Sequence, residues 1–161
     1  MDAIELLKSQ HRQVEELFSK VESSEGEEMA THFFQLADAF LVHSHIEEEI
    51  FYPAAFEDRT EDELREAVEE HLQAKRLIAD MLDLDWSDEQ WTAKCSVLKE
   101  DIQHHVKEEE NTLFPLVQKD MSKKRLAELG SQMSERATEL KSEGEPRRLV
   151  FDETGEAVLP V

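Results

Sequence analysis

Two segments of this chain each carry a histidine and a glutamate four residues apart. His43-x-x-x-Glu47-Glu48 and His105-x-x-x-Glu109-Glu110 are both followed by an apolar pair and by a proline ten residues after the histidine, Pro53 and Pro115. A second match precedes each of them: the stretch around His11, residues 9–18, parallels the stretch around His71, residues 69–78. The chain thus reads as one unit, His then His-x-x-x-Glu, used twice. On a helix the i and i+4 side chains share a face, so each His/Glu pair can converge on one point. Four imidazoles and two carboxylates, from His11, His43, Glu47, His71, His105 and Glu109, make a ligand set for a dinuclear metal centre. Imidazole and carboxylate without thiolate suit iron best, with manganese or zinc as alternatives. No His-Glu-x-x-His motif is present, which excludes the zinc-peptidase pattern, and no Glu-x-x-His, the mark of ferritin-like di-iron bundles.

The elements that must position these groups are helices. Apolar residues recur at helical spacing over about 3–21, 27–52, 60–81, 87–113 and 122–140, with Ser23-Ser-Glu-Gly26 as a break. Thr60-Glu-Asp-Glu63 and Ser87-Asp-Glu-Gln90 have capping-box form and open the third and fourth helices. Pro53 is expected to end or kink the second. Long amphipathic helices with short connections predict an all-α, antiparallel up-down-up-down four-helix bundle, with the fifth helix across or beside it. The domain spans residues 1–142. Residues 143–161 form a tail, where Arg147–Phe151 and Ala157–Val161 flank a turn and suggest a hairpin, a docked arm or a disordered end.

Competing pairs of the same spacing, His45 with Glu49 and His104 with Glu108, are rejected on two grounds. The alignment anchored on the prolines selects His43 and His105, and these fall on the apolar stripes. His45 lies about 200° around the helix from His43, and His104 about 160° from Ile102. His32 has no carboxylate at i+4 and reads as a surface residue. Glu15 and Lys75 follow His11 and His71 by four residues. Glu15 divides evenly between the site and solvent, whereas a long amine such as Lys75 is expected to snorkel outward. Burying the six groups uncompensated would cost several kcal/mol per charge, a cost that a metal pair removes. Without metal, two carboxylates close together in an apolar interior should push at least one carboxyl pKa up.

Composition bounds the rest. At 161 residues the chain is one domain, and its four glycines and four prolines argue against an all-β or low-complexity chain. The formal charge of −21 argues against nucleic acid or an anionic membrane as partner and fits a solvated acidic surface. One cysteine, Cys95, fits a reducing cytoplasm, and neither a signal peptide nor a long apolar stretch is seen.

His11, His43-x-x-x-Glu47, His71 and His105-x-x-x-Glu109, with the Glu-Glu endings before each proline, resemble the hemerythrin-like family of HHE cation-binding domains, over about residues 3–142. The resemblance implies an antiparallel four-helix bundle around a non-haem di-iron centre. Both carboxylates, Glu47 and Glu109, would bridge two iron ions, with an oxo or hydroxo group as third bridge. The chain departs from the oxygen-carrying members at Lys75, where they have a further histidine, and at Glu110, where they have aspartate. It is closer to the domains of di-iron repair and peroxide-handling proteins. The reading is a cytoplasmic protein reacting with hydrogen peroxide, dioxygen or nitric oxide, with di-iron oxidoreductase as the enzyme class considered. The alternatives are a reversible dioxygen or nitric oxide binder or sensor, and an iron-handling protein.

Overall fold

The computed structural model describes residues 1–161 and is helical throughout, with no strand. Helix α1 (Ala3–Ser23) opens on a true capping box: the Asp2 carboxylate accepts from the Glu5 backbone N–H at 2.9 Å, and Glu5 accepts from the Asp2 N–H at 3.0 Å. Gly26, at φ +62°, turns the chain into α2 (Gly26–Ile46). Helix α3 spans Glu61–Asp83, α4 spans Glu89–Glu108 and α5 spans Lys123–Ser142. These helices form the expected antiparallel bundle with one additional helix, α5, laid against α1 and α2. No helix is long and apolar enough to cross a membrane.

The two capping boxes expected for α3 and α4 do not form. Thr60 turns its hydroxyl back to the Ala55 carbonyl at 2.7 Å, and the cap of α4 is Asp88, accepting from the Gln90 N–H at 2.8 Å. Of the two outcomes expected at Pro53, an end or a kink, the helix end does not occur. Neither Pro53 nor Pro115 ends its helix. Instead α2 widens into a π-helical turn, Glu47–Phe51, and then continues through Tyr52–Ala55. Helix α4 does the same through Glu109–Leu113 into Phe114–Asp120. A proline provides no N–H for the carbonyl four residues back, and the wider i→i+5 pattern accommodates that loss. The bonds Tyr52 N–H to Glu47 O and Phe114 N–H to Glu109 O close the two turns.

The buried apolar residues fall into two clusters. One gathers Ile4, Leu7, Ile46, Phe51, Tyr52, Leu64 and Phe114 with the inner face of α5. The other holds Val14, Phe18, Phe33, Phe40, Ile78, Trp91, Leu98 and Ile102. The polar side chains of the repeated motifs lie in the layer between them.

The tail is not a hairpin. Pro146–Asp152 is a 3-10 helix whose Val150 is fully buried in the second cluster, a burial that contributes roughly 1.5–3 kcal/mol. Arg147 fastens it to α2, donating from its backbone and guanidinium to Asp38 at 2.8 and 3.0 Å and stacking over Phe34. Arg76 takes the carbonyls of Thr154 and Gly155, both at 3.0 Å, which a hairpin would need for its own ladder.

Gly130 on α5 lies directly against the backbone at the start of α1. A Cβ there would meet the Met1 carbonyl oxygen at 2.4 Å and the Asp2 and Ala3 backbone at 2.8 and 2.9 Å, atoms that cannot swing aside. Gly130→Ala should therefore destabilise the fold by about 1–3 kcal/mol through overpacking, whereas Gly155→Ala, with open space around it, should be neutral. Paired thermal melts check this; equal melting temperatures would mean α5 does not pack as described.

Candidate metal centre

All six residues singled out by the repeat meet in the middle layer. His11 (α1), His43 (α2), His71 (α3) and His105 (α4) point inward with Glu47 and Glu109, the first residues of the two π turns, and none is more than 4% exposed. Their ligating atoms fall into two groups sharing a carboxylate, His11/His43/Glu47/Glu109 and Glu47/His71/His105, with the atoms of each group within 4.8 Å of one another. The Nε2 of His11 and of His105 each lie 3.2 Å from Glu109 Oε1. The Nε2 of His43 lies 3.3 Å from Glu47 Oε1, and that of His71 lies 3.0 Å from Glu47 Oε2. Each carboxylate therefore stands between two imidazoles from different helices.

Four of these buried atoms, His11 Nε2, His43 Nε2, Glu47 Oε1 and Glu109 Oε1, have no hydrogen-bond partner. They approach one another closely but miss hydrogen-bond alignment, as lone pairs directed at a common point would. Orphaned buried polar atoms are rare and costly, and four together fit a shared cation.

The outward nitrogen of every ring is held. His11 Nδ1 meets Glu110 at 2.8 Å and His71 Nδ1 meets Glu48 at 3.2 Å. His43 Nδ1 donates to Gln10 Oε1 at 2.7 Å and His105 Nδ1 meets Glu70 at 3.0 Å. An acceptor on Nδ1 fixes the tautomer that leaves Nε2 free to ligate. These partners also obey the repeat. Glu48 and Glu110 each follow a site glutamate and reach across to the other half's first histidine. Gln10 and Glu70 each precede a first histidine and hold the second.

Electrostatics runs against one expectation. Neither carboxyl is raised. Burial and Glu109 push Glu47 up, but His43 and His71 outweigh them and hold it below its usual range. Burial is likewise overcome at Glu109 by His105 and His11, which hold it far down. In return, desolvation of His105, His11 and His71 is outweighed by their carboxylate neighbours, and all three rise. His43 alone is lowered, because burial prevails over Glu47. Interleaving imidazoles between the carboxylates removes the like-charge problem.

Residues 2–117 match the family model of the Hemerythrin HHE cation binding domain, which covers most of the chain. The chain belongs to the hemerythrin HHE family. As an HHE domain it is a metal-cation-binding protein with a His/Glu cluster. Its fold is similar to the crystal structure of a hemerythrin HHE cation binding domain-containing protein from Mycobacterium kansasii, with a TM-score of 0.80, 24% identity, and 94% of this chain and 98% of that one covered. A sequence relative is a DNA nickase of Nostoc sp. (strain PCC 7120 / SAG 25.82 / UTEX 2576), 24% identical over 123 residues, which are 76% of this chain and 35% of that protein. The HHE chain thus spans about a third of that relative's length.

The rejected histidines lie elsewhere in this HHE domain. His104 is 64% exposed beside Glu108 and the outer oxygen of Glu70. His45 faces Glu49 and Glu153, and His32 sits by Glu28. Glu15 is in solvent with Arg12. Lys75 corrects the sequence reading: it is buried at 4% exposure, with its amine 2.9 Å from both Glu48 and Glu153. Tyr52 was not anticipated at all. Its hydroxyl donates to Glu109 Oε2 at 2.8 Å and Glu47 Oε2 at 3.0 Å, and lies 3.4 Å from His71 Nε2. Five residues on a regular helix separate faces by about 140°, whereas the π turn brings Tyr52 onto the face of Glu47. The signal available was the proline itself, one residue after the tyrosine.

Two outcomes follow for metal binding. His105→Ala should lower bound metal at least tenfold in affinity, about 1.4 kcal/mol, while His104→Ala one residue away should leave it unchanged; dialysis and elemental analysis compare them, and equal losses would place α4 in the wrong register. The pH dependences should have opposite signs. Metal needs neutral imidazoles, so affinity falls as pH drops through the raised pKa values of His11, His71 and His105. In the metal-free protein those same raised pKa values stabilise the fold below the ordinary imidazole pKa, and this stabilisation is lost as pH rises through them. The lowered Glu47 and Glu109 stabilise above the ordinary carboxyl pKa and cease to as pH falls. Melts across pH with and without metal check this; parallel curves would refute the coupling.

Proposed function

We propose that this HHE domain holds a dinuclear iron centre on His11, His43, Glu47, His71, His105 and Glu109, and that it reacts there with a small oxidant, hydrogen peroxide, dioxygen or nitric oxide. The observation that carries the reading is the cluster of four orphaned buried atoms, two imidazole nitrogens and two oxygens of the shared carboxylates, whose only cationic neighbours are imidazoles. When bound, iron supplies one-electron redox chemistry and a coordination position for a small ligand. The protein's part is to hold the donors, fix the tautomers and exclude bulk water.

The two halves of the centre are unlike. Tyr52 and Phe114 occupy equivalent places before the two prolines. Tyr52 stacks on His71 with ring centroids 5.6 Å apart and Phe114 on His11 at 6.0 Å. Only the His71/His105 side therefore carries a phenol. Burial and the flanking carboxylates push the Tyr52 pKa well up, so it keeps its proton against Glu109. A cavity of about 240 Å³ between α1 and α4 ends on His11, lined by Val14, Phe18, Ile102 and Val106 together with the polar Glu15, Ser19, Lys99 and Gln103. It gives a small ligand a way in on the His11 side.

A cytoplasmic setting suits the single thiol, since burial of Cys95 pushes its pKa up to about 11 and leaves it unreactive. The nickase activity belongs to the much longer Nostoc protein, and a charge of −21 opposes a nucleic-acid partner here.

Elemental analysis should find about two irons per chain. Stopped-flow mixing of the reduced protein with oxygen, peroxide and nitric oxide then separates the readings. Rapid oxidation or peroxide consumption supports the redox reading, a stable reversible adduct a carrier, and ready loss of iron to chelators an iron-handling role. Phe114→Tyr would put a phenol on the open side and should weaken nitric oxide binding at least tenfold, about 1.4 kcal/mol, with iron content kept. Tyr52→Phe should not weaken it. The reverse ranking would assign the ligand to the wrong half.

A further inference from the structure

We infer that Glu153 is a positioning residue for His71, acting through Lys75 and Glu48, so that the C-terminal segment is a working part of the metal centre. The inference rests on the reading of the site just given. Residue 153 lies well beyond residues 2–117, the stretch that matches the family model.

The contacts run outward from the centre without a gap. His71 Nδ1 lies 3.2 Å from Glu48 Oε2, and the Lys75 amine donates to that same oxygen at 2.9 Å. Lys75 also donates to Glu153 Oε1 at 2.9 Å, and Glu153 Oε2 lies 2.8 Å from His45 Nε2. His45 is backed by Glu49, which Arg136 of α5 holds at 2.8 and 3.3 Å. Glu153 is itself fixed on both sides, by buried Val150 three residues before it and by Arg76 on the next two carbonyls.

The competition at Glu48 gives Glu153 its role. A buried ammonium must be compensated by nearby carboxylates. With Glu153 present, Lys75 divides its charge between two carboxylates, and Glu48 stays within reach of the His71 ring. Without Glu153, Lys75 would have Glu48 alone and would draw it off His71. The ring would then lose the contact that sets its plane and tautomer. The other half has no such device. Its equivalent of Glu48, Glu110, pairs with the exposed Arg12, and the position matching Lys75 is Glu15, itself exposed. The His71/His105 side is thus latched by the tail, whereas the His11/His43 side is not.

The test uses the full chain with Glu153→Ala, Glu153→Gln, Lys75→Met and the double variant Glu153→Ala/Lys75→Met. In the metal-free chain, the downfield proton resonance of the His71–Glu48 hydrogen bond should be lost in Glu153→Ala, weakened in Glu153→Gln and restored in the double variant, because removing Lys75 removes the pull on Glu48. In iron-loaded protein, one of the two irons should leave to a chelator at least tenfold faster in Glu153→Ala, again restored in the double variant. A merely structural tail would not be rescued by a second substitution on α3. An unchanged resonance in Glu153→Ala, or no rescue by Lys75→Met, overturns the inference. Should wild type hold fewer than two irons while the resonance behaves as stated, the positioning role stands and the dinuclear reading fails.

Discussion

Two carboxylates and four imidazoles in the middle of an apolar bundle are a severe constraint, and much of the molecule answers to it. Each charged group brought from water to a low-dielectric interior costs several kcal/mol unless paired. Here Glu47 and Glu109 are paired with imidazoles and the Tyr52 hydroxyl, and every imidazole is in turn pinned from behind. The layer splits the core into two apolar clusters, one on each side. The helices can therefore pack tightly above and below while the polar layer keeps its own geometry.

The π turns reconcile helix geometry with that layer. A regular helix would carry the residues after Glu47 and Glu109 round to another face within one turn. By widening where the prolines withhold a donor, both helices keep a ligand and the following aromatic ring directed at the same centre. The sequence element that looks like a helix stop is the one that shapes the site.

The bundle and the six inward residues were legible because helical periodicity and an internal repeat are local, redundant signals. His43 could be told from His45, and His105 from His104, by phase alone. Tyr52 was not legible because its phase depends on a π turn, which α-helical counting misplaces. Lys75 was misread because snorkelling is the rule for a lone lysine, and its two carboxylate partners come from α2 and the distant tail. The tail itself carries alternation typical of a strand, but its fate was decided by Asp38 and Arg76, which lie over 70 residues away in sequence. The caps of α3 and α4 failed for the opposite reason, a local one: the Ala55 carbonyl took the Thr60 hydroxyl, and Asp88 took the capping role from its neighbour Ser87.

The placement of Tyr52 opposite Phe114 has a consequence for the architecture as a whole. The contacts behind the four imidazoles are paired between the two halves as in a C2 dimer, Glu48 with Glu110 and Gln10 with Glu70. A true dimer of a half-length chain would be isologous, and any substitution would appear on both sides at once. Joining the halves in one polypeptide removes that obligation. One half can carry a phenol and a latched lysine while the other carries a bare phenyl ring and an access cavity. Covalent duplication is thus what permits a division of labour between two groups of histidine and glutamate side chains built from the same motif.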